Sequence, residues 1–412
     1  MCKLVSQEGC DHVANSAVSI WPIIVICFTI VVFDGLDTIS ITFVAPTIAT
    51  IWNMPASAMA PVFMAASIGA VIGYIAAGPM AIRLGDRRVM LLSVAVFGIG
   101  SLASATATDI LGLATLRLMT SVGLGAVLPL AVGAASSVVS PARRSTTAIL
   151  ITTGLSAGGV LAGILGGPLI QNYGWQSIFI VGGILPLLLL PAIVCFFPAS
   201  SREHTVAGKE NAILGLFAGQ LALRTILLWL FAFVVFVEAY AVLYWTPTLL
   251  INWGMPSEMA PASAAVLSMG GLFGGVILVF LVVELSVVRS LMVYGAFGLG
   301  CILVFAHGSL DKTIMMVVFG IGAGLVPCCM GQAALAVSFY PGHLRATGVG
   351  FAAAAGRIGS VVGPGLGGAV IALGWSTQQI VLMAAVPSIF SVIILVAIHI
   401  LGPIDIQDSQ IA

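Results

Sequence analysis

The sequence predicts an all-α membrane protein with twelve transmembrane helices in two six-helix repeats. Three observations support this fold class. The chain of 412 residues is 60% hydrophobic and only 7% charged, a composition that a water-soluble core of this size does not need. Twelve apolar windows are long enough to cross a bilayer, which takes about 20 residues. Residues of the first half also recur in the second half about 200 positions later.

The twelve apolar windows set the order of the predicted helices. They cover residues 20–48, 59–82, 88–107, 110–136, 146–170, 176–198, 225–250, 260–283, 290–307, 313–338, 346–372 and 377–401. The mixed charge before the first window, with no clear cleavage site after it, is unlike a signal peptide, so we expect the first helix to be retained. The longest polar interruption follows the sixth window. We therefore divide the chain into a first half (1–198), a linker (199–224) and a second half (225–412), with Leu214–Leu221 as a candidate surface helix.

The positive charges predict the orientation in the membrane, because cytoplasmic loops carry an excess of Lys and Arg. Only Lys312 falls in a connection from an odd to an even window. The N-terminus and the even-to-odd connections contain Lys3, Arg83, Arg87, Arg88, Arg143, Arg144, Arg202, Lys209, Arg224, Arg289 and Arg345. We expect both termini and the linker to face the cytoplasm.

The internal repeat is visible in rare residues. Pro46-Thr47 recurs as Pro247-Thr248, and Gly174-Trp175 recurs as Gly374-Trp375. Two six-helix halves related by an axis along the membrane normal are a known transporter architecture. At the same spacing Asp37 falls on Glu238, so each half has a carboxylate in its first helix.

Two acidic residues interrupt the first apolar window. Asp34 and Asp37 are three positions apart and share one face of a helix. A charged side chain at the bilayer centre costs roughly 3 kcal/mol on insertion scales, so such residues normally face a bundle interior or a cavity. The pair predicts a proton or substrate site. The alternative is a structural pair that a neighbouring Arg satisfies.

Proton coupling needs a carboxylate that can be protonated and deprotonated. Burial and a like-charged neighbour both favour the protonated form, and strongly interacting carboxylates titrate as a pair. We therefore predict that Asp34 and Asp37 share the coupled proton, with Glu238 as a further member of this group.

An anionic substrate needs a fixed cation, and Arg offers a two-pronged donor that stays charged. Arg117 and Arg357 lie inside predicted helices and are the candidates. The alternative for Arg117 is a helix-end residue that reaches towards the membrane surface. Tyr240, Tyr244 and Trp245 could stack on a substrate ring, or could be ordinary packing residues.

Several motifs spread over nearly the whole chain are typical of one family. They are Asp34-Gly35-Leu36-Asp37 with Phe43-Val44-Ala45-Pro46, Arg117-Leu118-Met119-Thr120, Tyr173-Gly174-Trp175, and Leu344-Arg345-Ala346-Thr347-Gly348 with Gly356-Arg357-Ile358-Gly359. The chain resembles the major facilitator superfamily, and within it the aromatic acid:proton symporters. The resemblance implies that Arg117 and Arg357 match arginines on the fourth and eleventh helices of that family, with Arg357 matching one needed for transport.

The loop after the second helix departs from the superfamily pattern. Ile82 stands where an Asp is usual, and an acidic residue appears four positions later. The resemblance implies that this region helps to close the cytoplasmic side. We expect a gating role for Gly78, Arg83, Gly85, Asp86, Arg87 and Arg345.

The sequence also argues against other functions. The seven cysteines have no metal-ligand spacing, the net charge of zero indicates no nucleic-acid partner, and no P-loop or catalytic cluster is visible. We expect no cofactor, no metal and no enzyme activity. The prediction is a monomeric, proton-coupled importer of an aromatic acid, or of a related acid such as muconate, in a bacterial inner membrane. The alternatives are a proton-driven exporter of drugs or metabolites and a transporter-like sensor.

Overall fold

A computed structural model of the chain describes residues 20–140, 143–197, 214–219, 221–307, 313–340 and 342–402, without the side chains of 144–146, 342, 343, 345 and 346. Its membrane helices are α1 (Ile20–Ile51), α2 (Ala60–Leu84), α3 (Asp86–Ser104), α4 (Ile110–Ser137), α5 (Arg144–Tyr173), α6 (Gln176–Phe196), α7 (Leu221–Asn252), α8 (Ala260–Leu285), α9 (Val287–Ala306), α10 (Ile314–Phe339), α11 (Gly342–Ala372) and α12 (Thr377–Ile400).

The prediction of twelve membrane helices is confirmed, since twelve described helices are long and apolar enough to cross a bilayer. Two details differ from the prediction. The sixth helix is interrupted at Leu189, and Pro191 follows near the start of its second segment, because proline cannot continue the helical hydrogen-bond ladder. The seventh helix begins at Leu221, so Arg224 belongs to α7 and not to the linker. Its Nη2 donates to the Leu401 carbonyl at 2.9 Å.

The predicted linker lies mostly outside the described residues, since 198–213 and 220 are not described. Of the candidate surface helix, residues 214–219 and 221 are described: Leu214 and Gly215 are helical, 216–219 form turns and a bend, and Leu221 begins α7. Leu216 is fully buried in a hydrophobic cluster that also contains Leu344 of α11, and its carbonyl accepts a hydrogen bond from Thr225 Oγ1 at 2.9 Å. The proposed domain boundaries therefore remain predictions.

The helices pack in the same pattern twice. In the first half α1 packs on α5, α2 on α4, and α3 on both α4 and α6. Six helices later, α7 packs on α11, α8 on α10, and α9 on both α10 and α12. The repeat seen in the sequence is thus a repeat in packing, as expected for two six-helix units.

Glycines bring the two halves into close contact. The contacts between halves are mainly α5 with α8 and α2 with α11. Gly163 of α5 packs against Ala265, and Gly365 of α11 packs against Met64. Small residues permit this close approach. Both glycines lie near the C-terminal ends of their helices, and therefore towards the end of the helix bundle opposite the start of α1.

The repeat extends to the backbone of the turns. Gly85 ends α2 with a φ of 85°, and Ser286 ends α8 with a φ of 78° and a ψ of 156°. This region of backbone conformation is essentially restricted to glycine. The second half therefore carries a strained serine where the first half has a glycine.

Candidate functional site

A buried ion pair joins α1 to α4 in the first half. The Asp37 and Arg117 residues are each only 1% exposed. The Arg117 Nη1 donates to Asp37 Oδ1 at 3.2 Å, and Nη2 pairs with Oδ2. A two-pronged bond of this kind is among the strong protein hydrogen bonds. Arg117 is therefore not a helix-end residue that reaches for the membrane surface.

Two further helices complete the surroundings of this pair. Ser101 Oγ of α3 lies 2.7 Å from Asp37 Oδ1 and 3.1 Å from the Phe179 carbonyl of α6. The Arg117 guanidinium carbon also lies 5.4 Å from the centre of the Phe179 ring. Four helices of one half thus meet at Asp37. This geometry fits the alternative raised from the sequence, a carboxylate satisfied by a neighbouring Arg.

Asp34 has different neighbours, although it shares a helix face with Asp37. Thr38 Oγ1 donates to Asp34 Oδ1 at 3.2 Å. Asp34 also interacts electrostatically with Arg357 of α11 and with Asp37. The cation near Asp34 therefore comes from the second half of the molecule, whereas the partner of Asp37 comes from the first half.

Arg357 is less enclosed than Arg117. It is half-buried, and its guanidinium carbon lies 5.0 Å from the ring centre of Tyr74 on α2. Arg357 and Tyr74 line a cavity of about 250 Å³ between α2 and α11. Among the residues that the structure describes, no carboxylate is within ion-pair distance of Arg357. Tyr240 of α7 is close enough to interact with it electrostatically.

The three aromatic candidates separate into two groups. Tyr240 is half-buried near Arg357, with its ring centre 5.9 Å from that of Phe236. Tyr244 and Trp245 are instead each 2% exposed and pack on Phe63 of α2, at 4.6 and 5.1 Å between ring centres. They form part of the contact between the halves, and of the three aromatic candidates Tyr240 is the one that interacts with Arg357.

Glu238 lies apart from the other two carboxylates. It is 1% exposed and accepts a hydrogen bond from Ser388 Oγ of α12. Its other electrostatic neighbours are the Cys328 and Cys329 thiols of α10. It borders an apolar cavity of about 230 Å³ inside the second half. The structure therefore does not bring Glu238 together with the first-helix carboxylates.

Three of the predicted gating residues, Gly85, Asp86 and Arg87, lie at the turn between α2 and α3. Gly85 takes the positive φ described above, and Asp86 is buried in the first turn of α3, where the helix dipole favours a carboxylate. Arg87 Nε donates to the Phe197 carbonyl at 3.0 Å and Nη1 to the Val194 carbonyl at 3.2 Å, so it binds the end of α6.

The other gating candidates make fewer contacts. Arg83 is exposed, and a Cβ added at Gly78 would meet no atom within 4 Å. The side chain of Arg345 lies outside the described residues. A gating role for this group stays a prediction. No group of three potential metal-binding side chains occurs in the described ranges.

Three site residues were not found by sequence reasoning. Ser101, Ser388 and Tyr74 contact Asp37, Glu238 and Arg357 respectively. Each sits in a helix far along the chain from its partner, and serine or tyrosine in an apolar helix carries no distinctive pattern. The spacing of the repeat also does not point to Ser388.

Twelve membrane helices in two units that pack in the same way, with Asp34 of one unit near Arg357 of the other, are typical of a membrane transporter. The chain belongs to the Major Facilitator Superfamily, whose family model matches residues 26–334. It is therefore a multi-pass membrane transporter and not an enzyme.

Two proteins of similar sequence and one solved structure extend this comparison to individual transporters. The chain is 31% identical to a gallate transporter of Pseudomonas putida, over 92% of this chain and 91% of that protein. It is 36% identical to a 3-(3-hydroxy-phenyl)propionate transporter of Escherichia coli strain K12, over 88% and 90%. The crystal structure of the nucleoside transporter NupG, carrying a D323A substitution, has the same fold. Its TM-score is 0.75 at 14% identity, and the match covers 92% of this chain and 100% of that one.

Proposed function

We propose that this protein is a proton-coupled importer of an aromatic carboxylic acid or a related organic acid such as muconate. The observation that supports the proposal most directly is the environment of Arg357. This residue is a half-buried cation, without a carboxylate at ion-pair distance among the described residues, in a cavity between the two halves. The names of the gallate and hydroxyphenylpropionate relatives support an aromatic acid as the substrate.

The substrate carboxylate binds the Arg357 guanidinium, which can donate two parallel hydrogen bonds. Tyr74 and Tyr240, on opposite halves of the molecule, flank this position. An aromatic ring bound between them gains offset or edge contacts worth about 0.5–1.5 kcal/mol beyond its buried area. Binding at Arg357 thus engages both halves, as an alternating transporter requires.

The buried carboxylates are the groups that couple transport to protons in this proposal. Asp34 lies near the same Arg357 that receives the substrate anion. A substrate anion and Asp34 compete for this one cation, and protonation removes the competing charge. We assign Asp34, Asp37 and Glu238 to the coupling system, with Asp34 and Glu238 as the groups open to protonation and Asp37 as the anion paired with Arg117. We also propose an inner-membrane location, a monomeric state, and termini on the cytoplasmic side.

The experiment is uptake of labelled acids into cells that produce the protein, with and without a protonophore. The panel contains benzoate, hydroxybenzoates, protocatechuate, gentisate and cis,cis-muconate. We expect one acid to accumulate and the protonophore to abolish its accumulation. Export of preloaded compound without uptake of any acid would instead favour the drug or metabolite exporter.

Two variants connect the uptake to the proposed site. Arg357→Lys keeps the positive charge but removes the two-pronged donor, so we expect a large rise in the substrate concentration needed for half-maximal uptake. Arg289→Gln is the matched control, because Arg289 is exposed at the start of α9. Normal uptake by Arg357→Lys and Arg357→Gln, at normal protein levels, would contradict this binding site.

A further inference from the structure

The carboxylates Asp37 and Glu238 occupy equivalent positions in the two halves. Glu238 lies 201 positions after Asp37, and both sit in the first helix of their half. Contacts between other helices show the same spacing of 201 residues between equivalent positions of the two halves. Gly123 of α4 lies against Ser93 and Phe97 of α3. The three equivalent residues, each 201 positions later, make the same contact: Gly324 of α10 lies against Tyr294 and Gly298 of α9.

The surroundings of the two carboxylates nevertheless differ in polarity. Asp37 is surrounded by Arg117, Ser101 and Phe179. The residues 201 positions later are Val318, Ile302 and Ile380. Ile302 and Ile380 line the 230 Å³ cavity beside Glu238, and Val318 is fully buried one turn before Ile321, which also lines it. The second half therefore has an apolar cavity where the first half has a guanidinium and a hydroxyl group.

The groups that face Glu238 can be named helix by helix. From α12 the facing polar group is the Ser388 hydroxyl, and from α10 the thiols of Cys328 and Cys329. The cavity residues of α9 and α11 are apolar. α8 has no titratable side chain before Glu284 at its exposed end.

From α11, Arg357 acts on the same Cys329 thiol as Glu238 does, but it lies beyond ion-pair distance of Glu238. No described Arg, Lys or His forms an ion pair with Glu238. Among the described residues, Glu238 thus differs from Asp37 in having no cation at ion-pair distance, and its side-chain donor is the Ser388 hydroxyl.

These differences give the two carboxylates different chemistry. An ionised carboxylate buried without a cation is costly, whereas one paired with a guanidinium is stabilised. A serine hydroxyl can donate to a carboxylate and can accept from a carboxyl group, so Ser388 fits both states of Glu238. We propose that Glu238 is the carboxyl group that takes up and releases the transported proton. Ser388 positions it, and Asp37 remains an anion paired with Arg117.

This inference rests on the proposed proton-coupled import and names the residue that carries the proton. The proton moves from water on one side of the membrane to a Glu238 oxygen, and from there to water on the other side. No other covalent bond changes. Exchange of external for internal substrate needs no net proton movement, so exchange and accumulation can be separated experimentally.

The first test uses Glu238→Gln. Purified variants are reconstituted into vesicles, and two quantities are measured for the acid that the wild type accumulates. We expect accumulation driven by a proton gradient to fall to the equilibrium level, while substrate exchange continues. Accumulation equal to that of the wild type would overturn the inference.

The second test rebuilds the first-half arrangement in the second half. Val318→Arg introduces a guanidinium at the position equivalent to Arg117, one helical turn before the cavity-lining Ile321, and Val318→Met is the control of similar length without charge. We expect Val318→Arg to lose accumulation but keep exchange, and Val318→Met to keep both. Equal accumulation by the two variants would contradict the inference. If Val318→Arg fails to fold, the Glu238→Gln result decides alone.

The role of Ser388 has its own readout. Ser388→Ala is expected to shift the pH dependence of accumulation without abolishing exchange, and Ser388→Thr is expected to restore the wild-type profile. An unchanged pH profile in Ser388→Ala would overturn the positioning role. If the wild type accumulates no acid from the panel, the proposed function fails. If the wild type and Glu238→Gln both accumulate it, only this inference fails.

Discussion

Removing one member of the Asp37–Arg117 pair leaves an unbalanced charge inside the first half. Both residues are almost inaccessible to solvent, and each is held by the other at two points. Breaking a buried pair by removing one partner typically costs about 3–5 kcal/mol, whereas replacing both partners with uncharged groups of similar volume is often close to neutral. We therefore expect Asp37→Asn and Arg117→Met to be strongly destabilising, and the double variant to be much less so.

The size of the expected loss of stability follows from the contacts that remain in each single variant. Among the described residues, the guanidinium in Asp37→Asn loses the carboxylate with which it pairs but keeps the Phe179 ring, and the carboxylate in Arg117→Met keeps the Ser101 hydroxyl. Neither remaining contact neutralises a full charge. A loss of about 3–5 kcal/mol corresponds to about a 100- to 4,000-fold fall in the folded-to-unfolded ratio. We also expect Asp37→Asn to abolish accumulation of substrate.

Equilibrium unfolding in mixed micelles measures this directly. The wild type, both single variants and the double variant form a double-mutant cycle, which isolates the interaction between the two residues. We expect an interaction energy of at least about 3 kcal/mol in magnitude, because the double variant is expected to lose less stability than either single variant. Single variants as stable as the wild type, or a double variant that loses the sum of both single effects, would refute the reasoning.

The remaining predictions concern the backbone. Ser286→Gly should raise stability by about 1–3 kcal/mol, because it relieves a conformation that is essentially restricted to glycine, and Gly85→Ala at the equivalent turn should lower it; thermal unfolding in detergent measures both. Gly35→Ala should reduce the yield of folded protein, because its Cβ would collide with the Leu155 backbone of α5. Gly300→Ala is the control, since its Cβ meets no atom within 4 Å, and equal yields of these two variants would contradict the packing explanation.

The helices could be predicted from the sequence because the membrane imposes a simple rule on length and polarity. The internal repeat also pairs Asp37 with Glu238, because the two carboxylates are separated by the spacing of the repeat. The sequence could not show which carboxylate has a cation. Arg117 lies 80 residues from Asp37, and the lack of a described cation beside Glu238 depends on Val318, an ordinary apolar residue in an apolar helix.

The aromatic residues show a second limit of sequence reasoning. Tyr240, Tyr244 and Trp245 lie close together in one helix, and the sequence makes all three candidates for binding substrate. In the structure the Trp245 indole Nε1 donates to the Pro364 carbonyl of α11 at 3.0 Å, while its ring packs on Phe63. Successive residues of a helix point in different directions, so only helix packing determines which of them reaches a cavity and which closes a contact.

The central claim is that an organic acid and a proton enter together. The most direct measurement is the internal pH of vesicles that contain the purified protein and a trapped pH-sensitive dye, without any imposed gradient. On addition of the acid that cells accumulate, we predict acidification of the vesicle interior, and none with Arg357→Gln. Uptake of the labelled acid with no change in internal pH would contradict the account.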